Sequence, residues 1–400
     1  MIDITALYTA LYSALYETRA KRVAQRNPIA RPPTLADVAS YAKVSAKTVS
    51  NVVNNRPYIT EETRNKVRHA IAALGYRPSA LARSLVTGRT QTIGIVIPDV
   101  SNPFFGQAIL GCEKVLIESG YHTVLCDTGE NVGEERRYLD TLAAKGVDGL
   151  MIWGGQIPLK EVLRITAGRI SILTVDSASE NLEGNVTAVY VENENGAVQA
   201  VRHLISSGRR RIGHLAGPSY RLTAQKRLNG YSKALAAAGM ELDPCLIIEG
   251  PPSIRGGYRS ALRLLENQKL DALFCYNDLM AIGSIVACKH LGISIPEDLA
   301  LVGFDDITVS ALITPSLTTV RIAQYDLGRR AGTLLLERLD GREAEPRSVD
   351  FPVELQVRNS CGTKTLTQKE MRDILENLVS SVAVDLPEHY PGSCGKEGPL

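Results

Sequence analysis

The 400-residue sequence predicts a small all-α head followed by an α/β body of two lobes, each a doubly wound parallel sheet. Three observations support this fold class. Helix caps and helical periodicity are dense between residues 34 and 85. From residue 92 onward, short apolar runs alternate with helical patterns. Residues 1–90 carry fourteen Lys and Arg residues against five acids, so a basic head precedes a body of opposite net charge.

Three short helices are predicted in the head. Thr34 is an N-cap with Asp37 three residues later, which is the arrangement of a capping box. A second helix begins after Ser45, and a third begins after Thr60 with two glutamates in its first turn. With a tight turn between the first two, the helices form a helix-turn-helix unit, whose second helix enters the DNA major groove.

The body is predicted from strands that alternate with helices of 10–15 residues. About ten such units exceed one hydrophobic core, so we expect two lobes. Ligands in such sheets bind beyond the carboxyl ends of the strands, which draws attention to the residues that follow each strand, among them the single tryptophan, Trp153. The strands with the clearest signal are 92–99, 122–127, 149–153, 171–176, 211–216, 272–277 and 299–305.

Composition argues against several classes of protein. No stretch approaches the roughly 18 apolar residues of a membrane span, and the first sixteen residues lack the features of a secretion signal. The seven cysteines form no CxxC pair, and the six histidines lack zinc-site spacing. GxGxxG, GxxxxGK[ST] and GxSxG are absent, which disfavours nucleotide-dependent enzymes and hydrolases. We therefore expect a cytoplasmic protein that is not an enzyme and has no metal or membrane segment.

Eight blocks of the sequence stand out: TLADVA (34–39), VSAKTVSNVVN (44–54), YITEETR (58–64), GYRPSALARSL (75–85), TIGIVIPDVSNPFF (92–105), NDLMAIG (277–283), GFDD (303–306) and LTTV (317–320). They resemble the lactose/galactose-repressor (LacI/GalR) family of bacterial transcriptional regulators. The resemblance covers roughly residues 34–362, and its blocks occur in the family's order. It implies the helix-turn-helix head, a hinge helix, and a body similar to periplasmic sugar-binding proteins that closes on a small molecule.

The resemblance implies which residues contact DNA. Ala46, Lys47 and Asn51 occupy the family's base-reading positions, where Lys47 could donate to guanine and Asn51 could pair with adenine. Ala82 and Leu85 of the hinge helix would enter the minor groove and wedge open a base step. Phosphate-positioning roles fall to Thr34, Ser45, Ser50, Tyr58, Thr60 and Tyr76. The sequence departs from the family at Lys43, where the turn usually has Gly, and at Asn51, where Arg is common.

The resemblance also implies an effector site between the lobes. A guanidinium, an amide and a carboxylate can chelate adjacent hydroxyls, while an aromatic ring stacks on the apolar face of a sugar. Pro252 stands where the purine-binding subfamily carries an aromatic residue, which favours a sugar effector. The implied effector residues are Phe104, Phe105, Arg221, Thr223, Arg227, Asn277 and Asp305.

The function implied is that of a repressor, active as a homodimer on a pseudo-palindromic double-stranded operator and controlled by a small-molecule effector without any cofactor. An activator or global regulator that uses a purine or a phosphorylated-protein corepressor is the alternative, and a solute-binding receptor or an enzyme is a distant one. A short heptad seam at Met371, Leu375, Leu378 and Val382 leaves a tetramer open. The expected domains are an N-terminal extension (1–33), the head (34–78), the hinge and linker (79–90), the two-lobed body (91–362) and a C-terminal tail with a short possible helix (363–400).

Overall fold

The structure is a computed structural model that describes residues 31–54, 56–77, 88–177, 182, 184–342 and 345–362. Contacts within the chain separate a unit that ends at Arg89 from a unit that begins at Thr90. The expected hinge helix with Ala82 and Leu85, most of the N-terminal extension and the C-terminal heptad seam lie outside the described residues. Within the described ranges, no helix is both long enough and apolar enough to cross a membrane.

The head contains three helices, α1 (Leu35–Ala42), α2 (Ala46–Val53) and α3 (Glu61–Leu74). Their inward faces meet in a small core that includes Val38, Val49 and Val67. Each helix begins at a capping residue that the sequence predicts, and at α1 both halves of the capping box form. The periodicity of the apolar residues and the caps together determine where these short helices start.

The turn between α1 and α2 passes through Lys43, which adopts a left-handed conformation with φ 55° and ψ 44°. The family that the sequence resembles usually has glycine at this position, because glycine adopts a left-handed conformation without a steric clash. A non-glycine residue pays roughly 1–2 kcal/mol there. The turn nevertheless closes, with the Val44 amide donating to the Ala39 carbonyl at 3.0 Å. Lys43 is exposed and so adds a positive charge to the surface of the turn.

The strands of the first lobe are β1 (Thr92–Ile97), β2 (His122–Asp127), β3 (Gly149–Trp153), β4 (Ser171–Val175), β5 (Val186–Val191) and β11 (Arg347–Phe351). They form a six-stranded, all-parallel sheet in the order β11-β5-β4-β3-β1-β2. The helices of this lobe are α4 (Pro103–Glu118), α5 (Val132–Lys145), α6 (Leu159–Ile165) and α12 (Gln324–Leu339).

The strands of the second lobe are β6 (Ile212–Ala216), β7 (Ile247–Glu249), β8 (Ala272–Cys275), β9 (Ala300–Asp305), β10 (Thr318–Arg321) and β12 (Glu354–Gln356). They form a six-stranded sheet in the order β12-β10-β9-β8-β6-β7, in which only the β10–β12 pairing is antiparallel. The helices of this lobe are α7 (Asn193–Ser206), α8 (Leu222–Ala237), α9 (Ile254–Asn267), α10 (Asp278–Leu291) and α11 (Thr308–Leu312).

The chain crosses between the lobes three times, after β5, after β10 and between β11 and β12. The predicted fold class, a helix-turn-helix head with a two-lobed α/β body, is confirmed. Five strands have no counterpart among the strongest sequence signals. Of these, β7 and β12 are three-residue edge strands, β11 is an edge strand with every second residue exposed, and threonines interrupt the apolar runs of β5 and β10.

Two glycines let helices α4 and α12 cross backbone to backbone in the first lobe. A Cβ at Gly111 would lie 2.0 Å from the Tyr325 carbonyl oxygen, and one at Gly328 would lie 1.8 Å from that of Ala108. Real Cβ atoms do not approach backbone atoms so closely, so a larger side chain would push the helices apart.

Gly111→Ala should therefore lower the free energy of unfolding by about 1–3 kcal/mol, the usual cost of overpacking a core. The matched control is Gly106→Ala in the same helix, where the new Cβ would meet nothing within 4 Å. Because alanine is the better helix former, this control should raise the free energy of unfolding by roughly 0.5–1 kcal/mol. Urea denaturation followed by circular dichroism measures both, and equal effects would refute the packing argument.

Candidate nucleic-acid interface and ligand cleft

The predicted base-reading residues lie on the face of α2 opposite its buried valines. Ala46 and Lys47 are exposed in the first turn of the helix, and Asn51 is half-buried one turn later. Among the described residues Lys47 has no ion-pair partner, so its ammonium group is available to a ligand. Ser50 is also half-buried beside them and accepts a weak 3.4 Å hydrogen bond from Asn54.

Three of the predicted phosphate-binding hydroxyls are helix caps. The side-chain oxygens of Thr34, Ser45 and Thr60 each accept a hydrogen bond from a backbone N–H three residues later, at 3.0–3.4 Å. The hydroxyl groups also bond to nearby side chains, as in Thr34 Oγ1 to Asp37 Oδ2 at 2.7 Å. Their structural role is to fix the helix N-termini, whose remaining amides and positive dipole favour anions such as phosphate.

The Asp37 carboxylate stabilises the start of the head. The Thr34 amide donates to it at 2.7 Å, and the Arg31 guanidinium pairs with it at 2.9 Å. These hydrogen bonds, with that of the Thr34 amide the strongest, lower the pKa of Asp37 to about 2. The carboxylate therefore stays ionised and keeps its cap at neutral pH.

The last two predicted phosphate contacts differ in exposure. Tyr58 lies in the connection before α3 with 68% of its surface exposed, which leaves its ring and hydroxyl open to a partner. Tyr76 is half-buried against the core of the head. The contact of either residue with DNA remains a prediction.

In the body, the seven residues predicted to bind an effector line one cleft between the lobes. Phe104 and Phe105 come from the first lobe, and the other five from the second. They converge because the carboxyl ends of both parallel sheets open toward this cleft. The cleft has an empty volume of about 630 Å³, including the part that is open to solvent.

The most deeply buried charge in the cleft is Arg227, which is 4% exposed. Its guanidinium donates to Asp305 Oδ1 at 3.2 Å, to Asn193 Oδ1 at 2.9 Å and to the Tyr276 carbonyl. It also lies 3.6 Å from the centroid of the Phe304 ring, a cation–π contact. Each of the three guanidinium nitrogens thus has an acceptor.

The network around Arg227 extends into the first lobe. Asn193, at the start of α7, donates to Asp176 Oδ2 at 3.0 Å, and Asp176 Oδ1 accepts from the Val191 amide at 2.9 Å. Asp176 directly follows β4, whereas Asp305 ends β9 in the other lobe. One chain of hydrogen bonds therefore joins the two lobes through the first crossover.

The two aspartates of this network have raised pKa values. Removal from water raises the pKa of Asp305 to about 6, although the Arg227 guanidinium opposes the shift. Desolvation likewise raises the pKa of Asp176 to about 6, against hydrogen bonds from Asn193 and Val191. Both carboxylates are ionised at neutral pH, so each can accept a hydrogen bond from a hydroxyl group.

An aromatic wall closes the first-lobe side of the cleft. Phe104, Phe105 and Trp153 meet edge to face, with ring centroids 5.2–6.4 Å apart. Trp153 is 4% exposed, and its Nε1 has no acceptor among the described residues. A buried donor without a partner is costly, so this indole N–H is an unsatisfied polar group beside the cleft.

Arg221, a predicted effector contact, bridges the cleft. Its Nε donates to Glu130 Oε2 at 2.9 Å, and its Nη2 pairs with the same oxygen. The Tyr220 hydroxyl also donates to this oxygen at 3.1 Å, and Arg221 Nη1 lies 3.4 Å from the Gly154 carbonyl. Because Arg221 is the N-cap of α8 in the second lobe and Glu130 lies before α5 of the first, this ion pair links the two lobes.

The remaining predicted residues are partly occupied by internal hydrogen bonds. Asn277 caps α10, its Oδ1 accepting from the Met280 amide at 2.9 Å. Thr223 Oγ1 lies 2.7 Å from the Tyr276 hydroxyl. Asn277 Nδ2 lies 3.5 Å from the Pro252 carbonyl, at the limit of a hydrogen bond, so this amide is the freer donor toward the cleft.

Sequence reasoning missed Glu130, Asp176 and Tyr276, which also line the cleft. Two signals were available for them. Asp176 is the last residue of the predicted strand 171–176, and Tyr276 directly precedes Asn277 at the end of the predicted strand 272–277, so the rule of strand ends covers both. Glu130, Asp176 and Asp305 are also non-glycine residues with positive φ, at 64°, 50° and 110°. Such backbone strain clusters at functional sites but cannot be read from a sequence.

Removing the Arg227 guanidinium should destabilise the folded protein, because its buried partners lose their hydrogen bonds. Arg227→Met leaves the Asp305 carboxylate and the Asn193 amide without their partner, so we expect the free energy of unfolding to fall by about 3–5 kcal/mol. Its exposed neighbour gives the control, since Lys226→Met should change stability by no more than about 0.5 kcal/mol. Denaturation followed by Trp153 fluorescence compares them, and a fully stable Arg227→Met protein would contradict this view of the network.

The raised pKa of Asp305 predicts a pH dependence of stability. The folded protein holds this proton more tightly than the unfolded chain, whose aspartate has a pKa near 3.8. The stabilising contribution is therefore complete below about pH 4 and is lost as pH rises through 6. Relative to Asp305→Asn, the wild type should lose up to about 3 kcal/mol between pH 4 and 7. Parallel stability profiles for the two proteins would rule this out.

Comparison with known proteins agrees with this arrangement of head and cleft. Residues 34–79 match the bacterial regulatory proteins of the lacI family, and residues 201–361 match the periplasmic binding protein-like domain. The lacI-family match covers the head, including the exposed face of α2. The periplasmic binding protein-like match covers most of the second lobe, including its cleft residues.

Relatives and solved structures match the chain over most of its length. The HTH-type transcriptional repressor CytR of Escherichia coli (strain K12) is 32% identical over 328 residues, which cover 82% of this chain and 96% of CytR. A complex of the transcriptional regulator CelR with cellobiose is 33% identical, with a TM-score of 0.63 over 82% of this chain and 99% of CelR. The Lac repressor dimer bound to operator and the anti-inducer ONPF is 28% identical, with a TM-score of 0.74 over 83% of this chain and 99% of that chain. The chain therefore belongs to the LacI family of bacterial regulatory proteins.

Proposed function

We propose that this protein is a transcriptional repressor whose affinity for operator DNA is controlled by a sugar or sugar derivative bound between the two lobes. The observation that carries the proposal is the convergence of polar and aromatic side chains from both lobes on one cleft, in a chain that also has a helix-turn-helix head. The nature of the relatives supports it, since CytR is a transcriptional repressor and CelR was solved with cellobiose.

The chemistry of the cleft suits a polyhydroxylated ring. The Asp305 and Asp176 carboxylates can accept hydrogen bonds from hydroxyls, and Asn277 Nδ2 and Trp153 Nε1 can donate to them. The wall of Phe104, Phe105 and Trp153 offers apolar edges and faces to the C–H side of a sugar ring. Binding groups come from both lobes, so a ligand would favour the closed arrangement of the cleft over an open one.

On the DNA side, α2 would lie in the major groove with Lys47 and Asn51 against base edges. The protein would act as a homodimer on a pseudo-palindromic operator, because two heads related by a two-fold axis read two half-sites. Residues 79–90 would form the hinge and linker between the head (34–78) and the body (91–362), with Leu85 as the minor-groove wedge. Closure of the lobes would change the distance between the paired hinges and so change operator affinity.

This proposal predicts a specific role for Lys47. A duplex is first selected from random sequences with the full-length protein, and its affinity is then measured at fixed salt by fluorescence anisotropy. Lys47→Ala should weaken binding to the selected duplex by about 10- to 100-fold, as expected for the loss of one base contact. Affinity for unrelated DNA should fall much less, because nonspecific binding depends on the total charge of the head.

Lys66→Ala is the matched control, because Lys66 is an exposed lysine of the same head that pairs with Glu62 on α3 at 2.7 Å. This variant should retain its preference for the selected duplex. Equal losses on selected and unrelated DNA in Lys47→Ala would contradict the base-reading role. Failure of the full-length protein to select any duplex would contradict the proposed function.

A further inference from the structure

The charges that line the cleft are unequal in number. Among the described lining residues, two are cations and four are carboxylates, so the cleft carries a formal charge of −2. A cleft built for a phosphate or carboxylate ligand has the opposite balance, because anions are bound by guanidinium groups, ammonium groups and backbone amides. The cations are Arg221 and Arg227, and the carboxylates are Asp99, Glu130, Asp176 and Asp305.

Both guanidinium groups are already paired. Arg227 is held by Asp305, Asn193 and the Tyr276 carbonyl within the second lobe and the first crossover. Arg221 directs its Nε and Nη2 at Glu130 and is 7% exposed. An anionic ligand would have to share a guanidinium with the carboxylate already bonded to it, or displace that carboxylate and leave it without its partner.

Two hydrogen bonds of the Glu130 backbone hold this residue where its side chain can pair with Arg221. The Glu130 amide donates to the Pro98 carbonyl at 2.9 Å, and its own carbonyl accepts from Gln156 Nε2 at 3.2 Å. With both backbone groups bonded, Glu130 holds a φ of 64°, which is uncommon for a non-glycine residue. The side chain is thereby presented to Arg221 of the opposite lobe.

We propose that Glu130 determines the ligand class of the cleft: by pairing with Arg221 across the lobes, it restricts the effector to uncharged polyhydroxylated compounds and excludes their phosphate esters. The inference rests on the proposed function, since it concerns the same effector site. The excess of carboxylates over cations adds to the exclusion, because Asp99 and Asp176 would also repel an anion in the cleft. An uncharged ring can instead use the aromatic wall and the free hydrogen-bonding groups.

The test uses the full-length protein and matched pairs of compounds that differ by one phosphate. The probes are ribose and ribose 5-phosphate, glucose and glucose 6-phosphate, and cytidine and cytidine 5′-monophosphate. Binding is followed by calorimetry and by the fluorescence of Trp153, the single tryptophan. For any pair that binds, the wild type should prefer the uncharged member by about 100-fold or more, the scale of a charged hydrogen bond left unmade.

Glu130→Gln should narrow this preference by about 10-fold or more, because it removes one carboxylate and leaves the Arg221 guanidinium able to meet a phosphate. The double variant Glu130→Gln with Arg221→Gln should restore the preference, since no guanidinium is then released. Glu134→Gln is the matched control. Glu134 pairs with Arg137 on its own helix and does not line the cleft, so its substitution should leave the preference unchanged.

The outcomes separate the two proposals. If an uncharged probe binds and Glu130→Gln leaves the preference unchanged, the role of Glu130 is refuted while the effector site stands. A phosphate ester that binds the wild type as tightly as its uncharged partner also refutes that role. If no probe of either kind binds to protein that retains operator binding, the proposed sugar effector fails, and the inference about Glu130 fails with it.

Discussion

The arrangement of the body depends on the hydrogen bonds that surround the buried guanidinium of Arg227. A cation removed from water is stable only if acceptors surround it, and here they come from Asp305, Asn193 and the Tyr276 carbonyl. Asn193 in turn bonds to Asp176 of the first lobe. The charge that makes the cleft polar therefore also fixes the first crossover between the lobes.

The other crossovers are held in a similar way. Gln324, which begins α12 after the second crossover, donates to the carbonyls of Asp305 and Asp306, and Gln199 bonds to both Val353 and Leu355 around the third. Asp305 thus connects the cleft network to the second crossover, as Asn193 connects it to the first. In the proposed function, a ligand that altered the bonds of Asp305 or Asp176 would act directly on the crossover segments, which is a physical route from the cleft to the rest of the chain.

Much of this organisation follows from local sequence. The caps at Thr34, Ser45 and Thr60 and the inward valines define the head, and the strand-end rule together with family blocks leads to Arg227, Asn277 and Asp305. The Glu130–Arg221 pair was beyond such reasoning, because its partners are 91 residues apart and the glutamate lies in a strained loop. Thr34, Ser45 and Thr60 were expected both to start helices and to contact phosphate; the structure shows their capping hydrogen bonds, and the phosphate contacts stay predictions.

In the proposed function, the cleft and the DNA-binding head are thermodynamically linked. The most direct measurement takes the sugar that gives the largest Trp153 fluorescence change and determines four dissociation constants: sugar with free and with operator-bound protein, and operator with and without saturating sugar. Linkage requires that the sugar change operator affinity by the same factor by which operator changes sugar affinity, and we expect a factor of about 5–150. A sugar that occupies the cleft with identical affinity in both states would contradict the account.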